Sequence, residues 1–590
     1  MKWLSRFTRL CTATLACLCS MPSQAAYQVE LQAPAPLESI LKDFLDLSRY
    51  QDRDDISEEQ LRYLIDTAPA QVTQLSSTEG YFSPITKIAL EETDPKRRVV
   101  RISIDPGPLT HISDVLIGLT GAAQQDDPEQ QQTIRKKWPL ASGAPFRQED
   151  WDNAKNSSLQ ALQTQRYAAA RIARSEARID PEQQSARLEV DFDSGPAFTL
   201  GPLEITGLRR YPASIIRNVS PLLPGETYSQ ARLLALQRQI QSTPYFSNVI
   251  VGIDDDPAHA ENAPVKVQVS EFPTQRIRTG VGYSTDTGAS VDARYTHYNV
   301  FDRAWVFDSQ IKLEQKRQFE SINLAMPPDS KSFVNSVGIT NDRTTLEGVD
   351  LRSLVLDLRR ARSFEFYDTA YTLDYYRDEL RQTNGAALPA NTVITPGLHQ
   401  ALAPGFSWSR RAVDDPIFPR SGHLLSAQVA VALQGILTDQ SFARLFLRYK
   451  YFIPVAHRDV IILRTDMGGV VTRGSASAVP ASLLFRAGGT DSVRGYSYQS
   501  IGNEQNGTVY PTKYMLTGSA EYQHWLTAQW GGALFYDVGT ATDSIEKRSV
   551  YQGIGTGARY RSPVGTINLD LAYGITQRQF RPHISLGIAF

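Results

Sequence analysis

Cysteine is almost absent from this chain of 590 residues, and all three copies, Cys11, Cys17 and Cys19, lie close to the N-terminus. Residues 1–26 have the basic start, short apolar stretch and small terminal residues of a secretory signal peptide. A lipoprotein cut before Cys17 fits the preceding Thr14-Leu15-Ala16 poorly. Cleavage after residue 26 leaves no thiol, which excludes disulfides and thiolate metal sites. The sequence therefore predicts an exported protein held together by packing and hydrogen bonds.

Long apolar runs and a strong net charge are also missing. No run of about 18 apolar residues follows the signal segment, so no transmembrane helix is expected. The formal net charge of −2 gives no strong field for nucleic acid, and no nucleic-acid partner is expected. Aromatic residues and glycine are plentiful, with 26 Tyr, 23 Phe and 38 Gly. A β-barrel hides apolar residues by alternation, so this composition is compatible with an outer-membrane protein.

Catalytic and metal-binding motifs are lacking as well. The eight histidines show no metal-ligand spacing, and the chain has no Gly-x-Ser-x-Gly elbow, phosphate-binding Gly-Lys-Ser/Thr loop or His-Glu-x-x-His pair. The acidic run Asp254-Asp255-Asp256 lacks the spacing of a calcium loop and is interpreted as a surface turn. The sequence therefore predicts a protein that is not an enzyme, with no catalytic residue, metal or cofactor.

The pattern of secondary-structure signals changes near Pro273. Before it, helical and strand signals alternate, and aromatic turns recur at Tyr81, Tyr167 and Tyr245, a period of about 80 residues. Each turn is followed by two strand-like runs. This pattern predicts three small α+β domains in tandem. The predicted domains are residues 27–107, 108–196 and 197–273.

Local signals predict helices in the first of these domains. Ser57-Glu58-Glu59-Gln60 is a plausible capping box at a helix start. Pro69 predicts a break or kink in the helix that follows. A helical stripe of apolar residues is interpreted as core rather than as a ligand site. The stripe consists of Leu37, Ile40, Leu41, Phe44 and Leu47.

Residues 274–590 contain segments in which apolar and polar residues alternate. In 566–575 and 583–590 every second residue is apolar, and in 305–314 the apolar residues Trp305, Phe307, Ile311 and Leu313 share one face. This pattern is typical of half-buried strands. A soluble sandwich would give the same pattern. The span of 590 − 273 = 317 residues nevertheless allows 16 strands at about 20 residues per strand and connection, an even number as such barrels require. The predicted fold is therefore tandem α+β domains followed by a 16-stranded antiparallel transmembrane β-barrel over 274–590.

A glycine-rich segment at residues 485–496 reads Phe-Arg-Ala-Gly-Gly-Thr-Asp-Ser-Val-Arg-Gly-Tyr. Gly488, Gly489 and Gly495 give the backbone access to positive φ. Arginine carries a fixed fork of donors that clamps a carboxylate at two points. Arg494 is the better candidate of the two arginines for a confined guanidinium, because Gly495 follows it. A flexible surface loop is the alternative interpretation.

Four motifs resemble the outer-membrane assembly superfamily, in which periplasmic POTRA domains precede a 16-stranded barrel. They are Asp415-Pro416 with Pro419-Arg420-Ser421-Gly422, Val493-Arg494-Gly495-Tyr496, Phe535-Tyr536-Asp537-Val538-Gly539, and Gly555-Thr556-Gly557-Ala558-Arg559-Tyr560 with Ser562-Pro563-Val564-Gly565. The second resembles the family's loop that folds back into the lumen, the third its Phe-x-Asp-x-Gly strand motif, and the fourth its penultimate-strand pattern. Each is modest alone, but four in the right order are specific, and the resemblance covers the mature chain.

Three POTRA domains and this chain length resemble the TamA branch of the BamA-like superfamily, the outer-membrane subunit of the translocation and assembly module. The resemblance implies a cell outer membrane protein with its POTRA domains in the periplasm, which helps insert or secrete barrel proteins such as autotransporters. Implied partners are a TamB-like inner-membrane-anchored protein, unfolded outer-membrane protein clients and outer-membrane lipid, with phospholipid transport as a further role. A two-partner secretion transporter and a passive porin remain alternatives.

The resemblance also implies two functional regions. The motif Val493-Arg494-Gly495-Tyr496 is expected in the lumen, with Asp537 on the barrel wall as the partner of Arg494. The second region is the seam between the first and last barrel strands, where glycine weakens pairing and a client strand could add. The predicted seam residues are Gly280, Gly282, Gly587 and Phe590. The alternative is that these glycines only make room for aromatic packing.

Overall fold

The computed structural model describes residues 27–94, 97–364, 366–383, 395–562 and 565–589. The predicted signal peptide and Phe590 lie outside these ranges. The chain forms two compact units. The first contains the residues up to Pro202 with Leu222–Leu233 and Ile253–Val265, and the second contains Leu203–Pro221, Leu234–Gly252 and the residues from Lys266 onwards. None of the described helices combines the length and the apolar character needed to cross a membrane.

The described residues before the barrel form helices and three small sheets. The helices are α1 (Ala35–Phe44), α2 (Asp46–Arg49), α3 (Glu58–Thr78), α4 (Ala122–Asp126), α5 (Pro128–Lys137), α6 (Gln148–Gln163), α7 (Ser214–Val219) and α8 (Gln230–Gln241). The strands are β1 (Gln28–Gln32), β2 (Ile85–Asp94), β3 (Arg97–Asp105), β4 (His111–Thr120), β5 (Arg171–Asp180), β6 (Ser185–Asp193), β7 (Leu200–Thr206), β8 (Phe246–Ile253) and β9 (Ala263–Glu271). The sheet orders are β1-β3-β2, β4-β6-β5 and β7-β9-β8. Each sheet falls within one predicted domain, whose boundaries remain predictions.

The helix α3 starts at the predicted capping box, but it continues past Pro69, where the sequence predicts a break or kink. Ser57 Oγ accepts from the Gln60 N–H at 3.2 Å, and Gln60 Oε1 accepts from the Ser57 N–H at 2.9 Å, which completes the capping box. Of the break or kink predicted at Pro69, the break does not occur, because α3 runs without interruption from Glu58 to Thr78. The buried residues Leu64 and Val72 pack this helix into the core on either side of the proline. That packing offsets the backbone hydrogen bond that proline removes.

Two members of the predicted apolar stripe are not in the core, because Ile40 is only half-buried and Phe44 is exposed. Phe44 is 62% exposed, whereas Leu37, Leu41 and Leu47 are fully buried. The helix α1 ends at Phe44, and Leu45 takes an extended conformation with ψ of 128°. The change of direction breaks the helical period, so that Leu45 rather than Phe44 points into the core.

The remaining strands build the barrel and a short hairpin. They are β10 (Gln275–Ser284), β11 (Gly288–Val300), β12 (Trp305–Glu314), β13 (Arg317–Ala325), β14 (Val334–Leu346), β15 (Val349–Ser363), β16 (Tyr367–Gln382), β17 (Gly397–Val413), β18 (Gly422–Ala432), β19 (Phe442–Ala456), β20 (Asp459–Thr472), β21 (Asn503–Gln505), β22 (Thr508–Tyr510), β23 (Tyr514–Trp525), β24 (Trp530–Thr542), β25 (Tyr551–Ser562), β26 (Gly565–Gly574) and β27 (Gln579–Ala589). All except β21 and β22, which pair with each other, close in sequence order into one antiparallel barrel of 16 strands. The predicted strand number is confirmed.

The barrel strands alternate between an apolar outer face and a polar lumen. On β12, Ile311 and Leu313 are exposed on the outside, and Asp308 pairs with Arg294 of β11 at 2.8 Å. On β26, Leu571 faces outwards and Asp570 is buried. The motif at residues 555–560 lies on β25, which is the third barrel strand from the end. The expectation of a penultimate strand is wrong, because β26 and β27 both follow it.

Candidate functional site: a lumen loop that contacts the barrel seam

The long connection between β20 and β23 packs inside the barrel. Among its residues, Phe485, Val493, Tyr496, Ile501 and Tyr510 share one buried apolar cluster with wall residues of the surrounding strands. Those wall residues include Val349, Leu380, Ala401, Phe442 and Met515. These loop residues are therefore buried against the inner wall of the barrel.

Arg494 is the central side chain of this connection, and Asp537 on β24 holds it at three points. Arg494 Nε donates to Asp537 Oδ2 at 2.7 Å, and Arg494 Nη2 donates to Asp537 Oδ1 at 2.9 Å. The backbone N–H of Arg494 also donates to Asp537 Oδ2, at 3.0 Å. The side chain of Arg494 is 5% exposed and that of Asp537 is fully buried. This fork-on-carboxylate geometry is the one that lysine cannot reproduce.

Two further carboxylates and a second arginine complete a charge cluster that the sequence did not reveal. Arg494 Nη1 donates to Glu521 on β23 at 2.6 Å and to Asp570 on β26 at 3.0 Å. Arg559 on β25 binds the same two carboxylates, donating to Glu521 at 2.8 Å and to Asp570 at 2.5 Å. The cluster thus contains two guanidinium groups and three carboxylates, a formal charge of −1. The sequence signal for these residues was a set of charged residues at lumen-facing positions of nearby strands. Only the register of the barrel strands shows that they meet.

The Arg494 guanidinium also lies on an aromatic face. Its central carbon is 3.3 Å from the centroid of the Phe535 ring on β24. Ser519 of β23 accepts from Arg494 Nη2 at 3.3 Å and donates to Asp537 at 2.6 Å. Phe535 and Asp537 belong to the strand motif quoted above, so alternation along one strand supplies both the stacking surface and the acceptor.

Glycines on both the loop and the wall let the two backbones approach closely. Gly495 has φ of +92°, and a Cβ there would lie 2.7 Å from the backbone nitrogen of Gly574 on β26. A Cβ on Gly553 of β25 would overlap the carbonyl oxygen of Arg494. Gly488 and Gly489, with φ of +105° and +100°, form the turn before Arg494. These positions need glycine either for positive φ or for lack of space.

The same loop contacts residues on both sides of the barrel seam. The N–H of Gly495 donates to His583 Nε2 on β27 at 2.8 Å. The N–H of Thr490 donates to Asp286 Oδ2, in the turn after β10, at 3.1 Å. His583 and Asp286 face each other with 4.0 Å between Nδ1 and Oδ1. The loop therefore ties together the first and last strands, an arrangement that the sequence did not predict.

The part of the seam that the structure describes is short. β10 pairs with β27 through five residue pairs, Gly280–Ala589 to Ser284–Ser585, whereas β10 pairs with β11 through ten. Gly282 lies directly opposite Gly587. In the described part of the chain, Gln275–Thr279 have no partner across the seam. Three of the four predicted seam residues thus lie on the paired segment, and Phe590 lies outside the described residues.

Sequence profiles of two families match the chain. The Omp85 superfamily domain matches residues 274–590, which include every barrel strand. The POTRA domain, described as a surface antigen variable number repeat, matches residues 198–271, which include the third sheet.

Similar proteins are outer-membrane assembly factors. The outer membrane protein assembly factor BamA of Nitratidesulfovibrio vulgaris is 24% identical over 384 residues, covering 63% of this chain and 47% of that protein. BamA of Neisseria meningitidis serogroup B is 21% identical over 360 residues, covering 57% and 45%. The chain spans about half the length of these relatives. The crystal structure of BamA from Haemophilus ducreyi lacking POTRA domains 1–3 has the same fold, with a TM-score of 0.63 at 16% identity over 81% of this chain and 100% of that chain.

The superfamily match covers more than half of the chain and coincides with a 16-stranded barrel preceded by a POTRA domain. The chain therefore belongs to the Omp85 superfamily of outer-membrane β-barrel proteins, with its POTRA region in the periplasm.

Proposed function

We propose that this protein is a non-catalytic assembly and translocation factor that inserts or secretes other outer-membrane proteins by opening its seam to a client strand. The observation that carries the proposal is the five-pair seam with Gly282 opposite Gly587. Backbone groups left without partners in lipid each cost several kcal/mol, so a seam with few described pairs favours strand addition. A client strand would satisfy those groups by β-augmentation.

The lumen loop would control that opening. Its contacts with His583 on β27 and with Asp286 after β10 span the seam. Its anchor at Arg494 is buried among carboxylates from β23, β24 and β26. In this proposal, the docked loop holds the two seam strands in register, and a client strand displaces β27 from β10.

A reversible crosslink across the seam tests this mechanism. Gly282→Cys with Gly587→Cys places two cysteines at directly paired positions in a mature chain that has no other thiol. The oxidised protein in proteoliposomes should lose insertion of an unfolded outer-membrane protein such as an autotransporter β-domain, and reduction should restore it. The matched control is Val281→Cys with Val291→Cys, a direct pair between β10 and β11. This control should assemble clients in both redox states.

Equal client insertion by the oxidised and reduced seam pair would contradict seam opening. A passive porin would show that result together with unchanged ion conductance. Loss of activity in both crosslinked pairs would indicate general rigidity and would also count against the seam. Mass spectrometry establishes that each crosslink has formed.

For the periplasmic part, we propose that the most N-terminal domain receives clients or a TamB-like inner-membrane-anchored protein, as in the TamA branch. Support comes from β2, a ten-residue edge strand with Ile85 and Leu90 exposed. An exposed edge of this length is a template for strand addition. A photo-crosslinker at Leu90 should capture a partner in cells, and one at Tyr63, exposed on α3 of the same domain, should not. Capture from Tyr63 alone, with deletion of 27–107 leaving activity intact, would contradict this role.

A further inference from the structure

The lumen contains a second charged region, separate from the Arg494 cluster. A cavity of about 400 Å³ lies between the loop and the wall formed by β13–β16 with β18 and β19. Three arginines line it, Arg317, Arg444 and Arg486, together with one carboxylate, Asp342. The described lining residues therefore carry a formal charge of +2.

Arg317 and Asp342 neutralise each other. Arg317 Nη2 lies 2.5 Å from Asp342 Oδ2, and Arg317 Nε donates to the same carboxylate at 3.1 Å. The carboxylate that lines the cavity is thus already engaged, and the excess charge belongs to the other two arginines.

Arg444 has no carboxylate partner among the described residues. Its Nε donates to the carbonyl oxygen of Leu483 at 2.9 Å. Its guanidinium carbon lies 5.0 Å from the ring centroid of Phe485 and 5.6 Å from that of Phe446. These contacts fix the orientation of the guanidinium, while its terminal nitrogens remain available to a ligand in the cavity.

Arg486 lines the cavity from the loop side and, like Arg444, forms no ion pair with a carboxylate among the described residues. In the described part of the chain, its polar contact is a long one, from Nη1 to the carbonyl oxygen of Val509 at 3.4 Å. Confining an uncompensated charge is costly unless a counter-charge is supplied. Glu347 interacts with Arg486 electrostatically, but among the described residues no carboxylate forms an ion pair with either arginine. An anion from outside the chain would therefore compensate the two guanidinium groups that share this cavity.

We propose that this cavity binds an oxyanion, specifically a phosphate group, between Arg444 and Arg486. Arginine forks match the oxygens of phosphate, and charged hydrogen bonds are the strong ones. Tyr498, which also lines the cavity, accepts from Gln499 Nε2 at 3.1 Å, so its own hydroxyl hydrogen is available as a further donor. The volume is in the range of small-ligand pockets and accommodates free phosphate or the phosphate of a lipid headgroup. The inference does not depend on the proposed function.

Calorimetric titration of the full chain in detergent micelles tests the site. One arm uses inorganic phosphate, and the other uses glycerol 3-phosphate as a headgroup-sized monoester. Saturable binding of inorganic phosphate indicates that the oxyanion itself is recognised. Saturable binding of glycerol 3-phosphate alone indicates a headgroup as the source. Both results support the site.

Variants decide whether the two arginines form it. Arg444→Gln and Arg486→Gln should each weaken binding by about tenfold or more, since each removes charged hydrogen bonds, and the double variant should show none. Arg377→Gln is the matched control, because Arg377 is exposed and alternates with the lumen-facing Tyr376 on β16. Heat-modifiability confirms that each variant is folded. No saturable binding of either probe by the wild type, or equal binding by the folded double variant, overturns the proposal.

Discussion

Arg494→Ala is the most informative single change, because it removes the side chain on which the loop is anchored. The substitution deletes contacts to Asp537, Glu521 and Asp570 at once. Arg559 alone then faces the three carboxylates, so the formal charge of the cluster goes from −1 to −2. The barrel ladder is untouched, and the cost therefore falls on the docking of the loop.

The burial of the Arg494–Asp537 pair sets the free-energy cost of this substitution. The side chain of Arg494 is 5% exposed, that of Asp537 is fully buried, and breaking such a buried pair costs about 3–5 kcal/mol. At tenfold per 1.4 kcal/mol, the docked loop should lose roughly a hundred- to several-thousand-fold in population relative to the undocked loop. By contrast, an exposed pair contributes about 0.2–1 kcal/mol.

Hydrogen exchange measured by mass spectrometry on the full chain in nanodiscs detects this loss directly. Peptides covering 485–512 should lose protection by that factor in Arg494→Ala, while peptides from β11 and β12, which are not part of the cluster around the loop, should not change. Arg494→Lys should give an intermediate loss, because it keeps the charge but not the fork. The matched control is Arg381→Ala, which removes an exposed arginine paired with Glu379 on β16.

Unchanged protection of the loop in Arg494→Ala would refute the reasoning, since it would mean that the apolar cluster alone holds the loop. A loss as large in Arg381→Ala would also refute it, because the effect would then not depend on burial. Client assembly should fall in parallel with loop protection across the three variants.

Two further predictions concern the wall and the periplasmic region. Gly553→Ala should undock the loop and lower client assembly, because its Cβ would overlap the Arg494 carbonyl oxygen, whereas Gly532→Ala, where a Cβ meets open space, should be neutral by the same exchange measurement. Burial raises the pKa of Glu271, but hydrogen bonds from the Arg209 and Arg210 backbone amides outweigh it and lower that pKa to about 2. Because the folded pKa lies below that of the unfolded chain, Glu271 stabilises the turn at 209–211 above about pH 4.5, and this contribution should fade as the pH drops towards 2. Exchange at those amides, corrected for intrinsic rates, should rise over that window, and Glu271→Gln should remove the pH dependence.

Sequence patterns predicted much of the fold because most of it is encoded locally. Alternation identified β12 with its bounds at Trp305 and Glu314, and the capping box at Ser57 located the start of α3. Local rules failed where tertiary packing outweighed them. The apolar surface of α3 carries the helix through Pro69, and the change of direction at Leu45 moves Phe44 out of the core.

In the lumen site, too, some features are encoded locally in the sequence and others arise only from tertiary packing. The sequence by itself determined that Arg494 sits in a glycine-rich segment, and the resemblance to a known family named Asp537 as its partner. Only the tertiary structure decided that Glu521, Arg559 and Asp570 join them, because the register of β23–β26 sets which inward-facing residues meet. The contact between the loop and His583 likewise requires the barrel to close, since residues 495 and 583 are distant along the chain. Residue types and periods are local properties, whereas the pairing of buried charges depends on how the closed sheet places strands side by side.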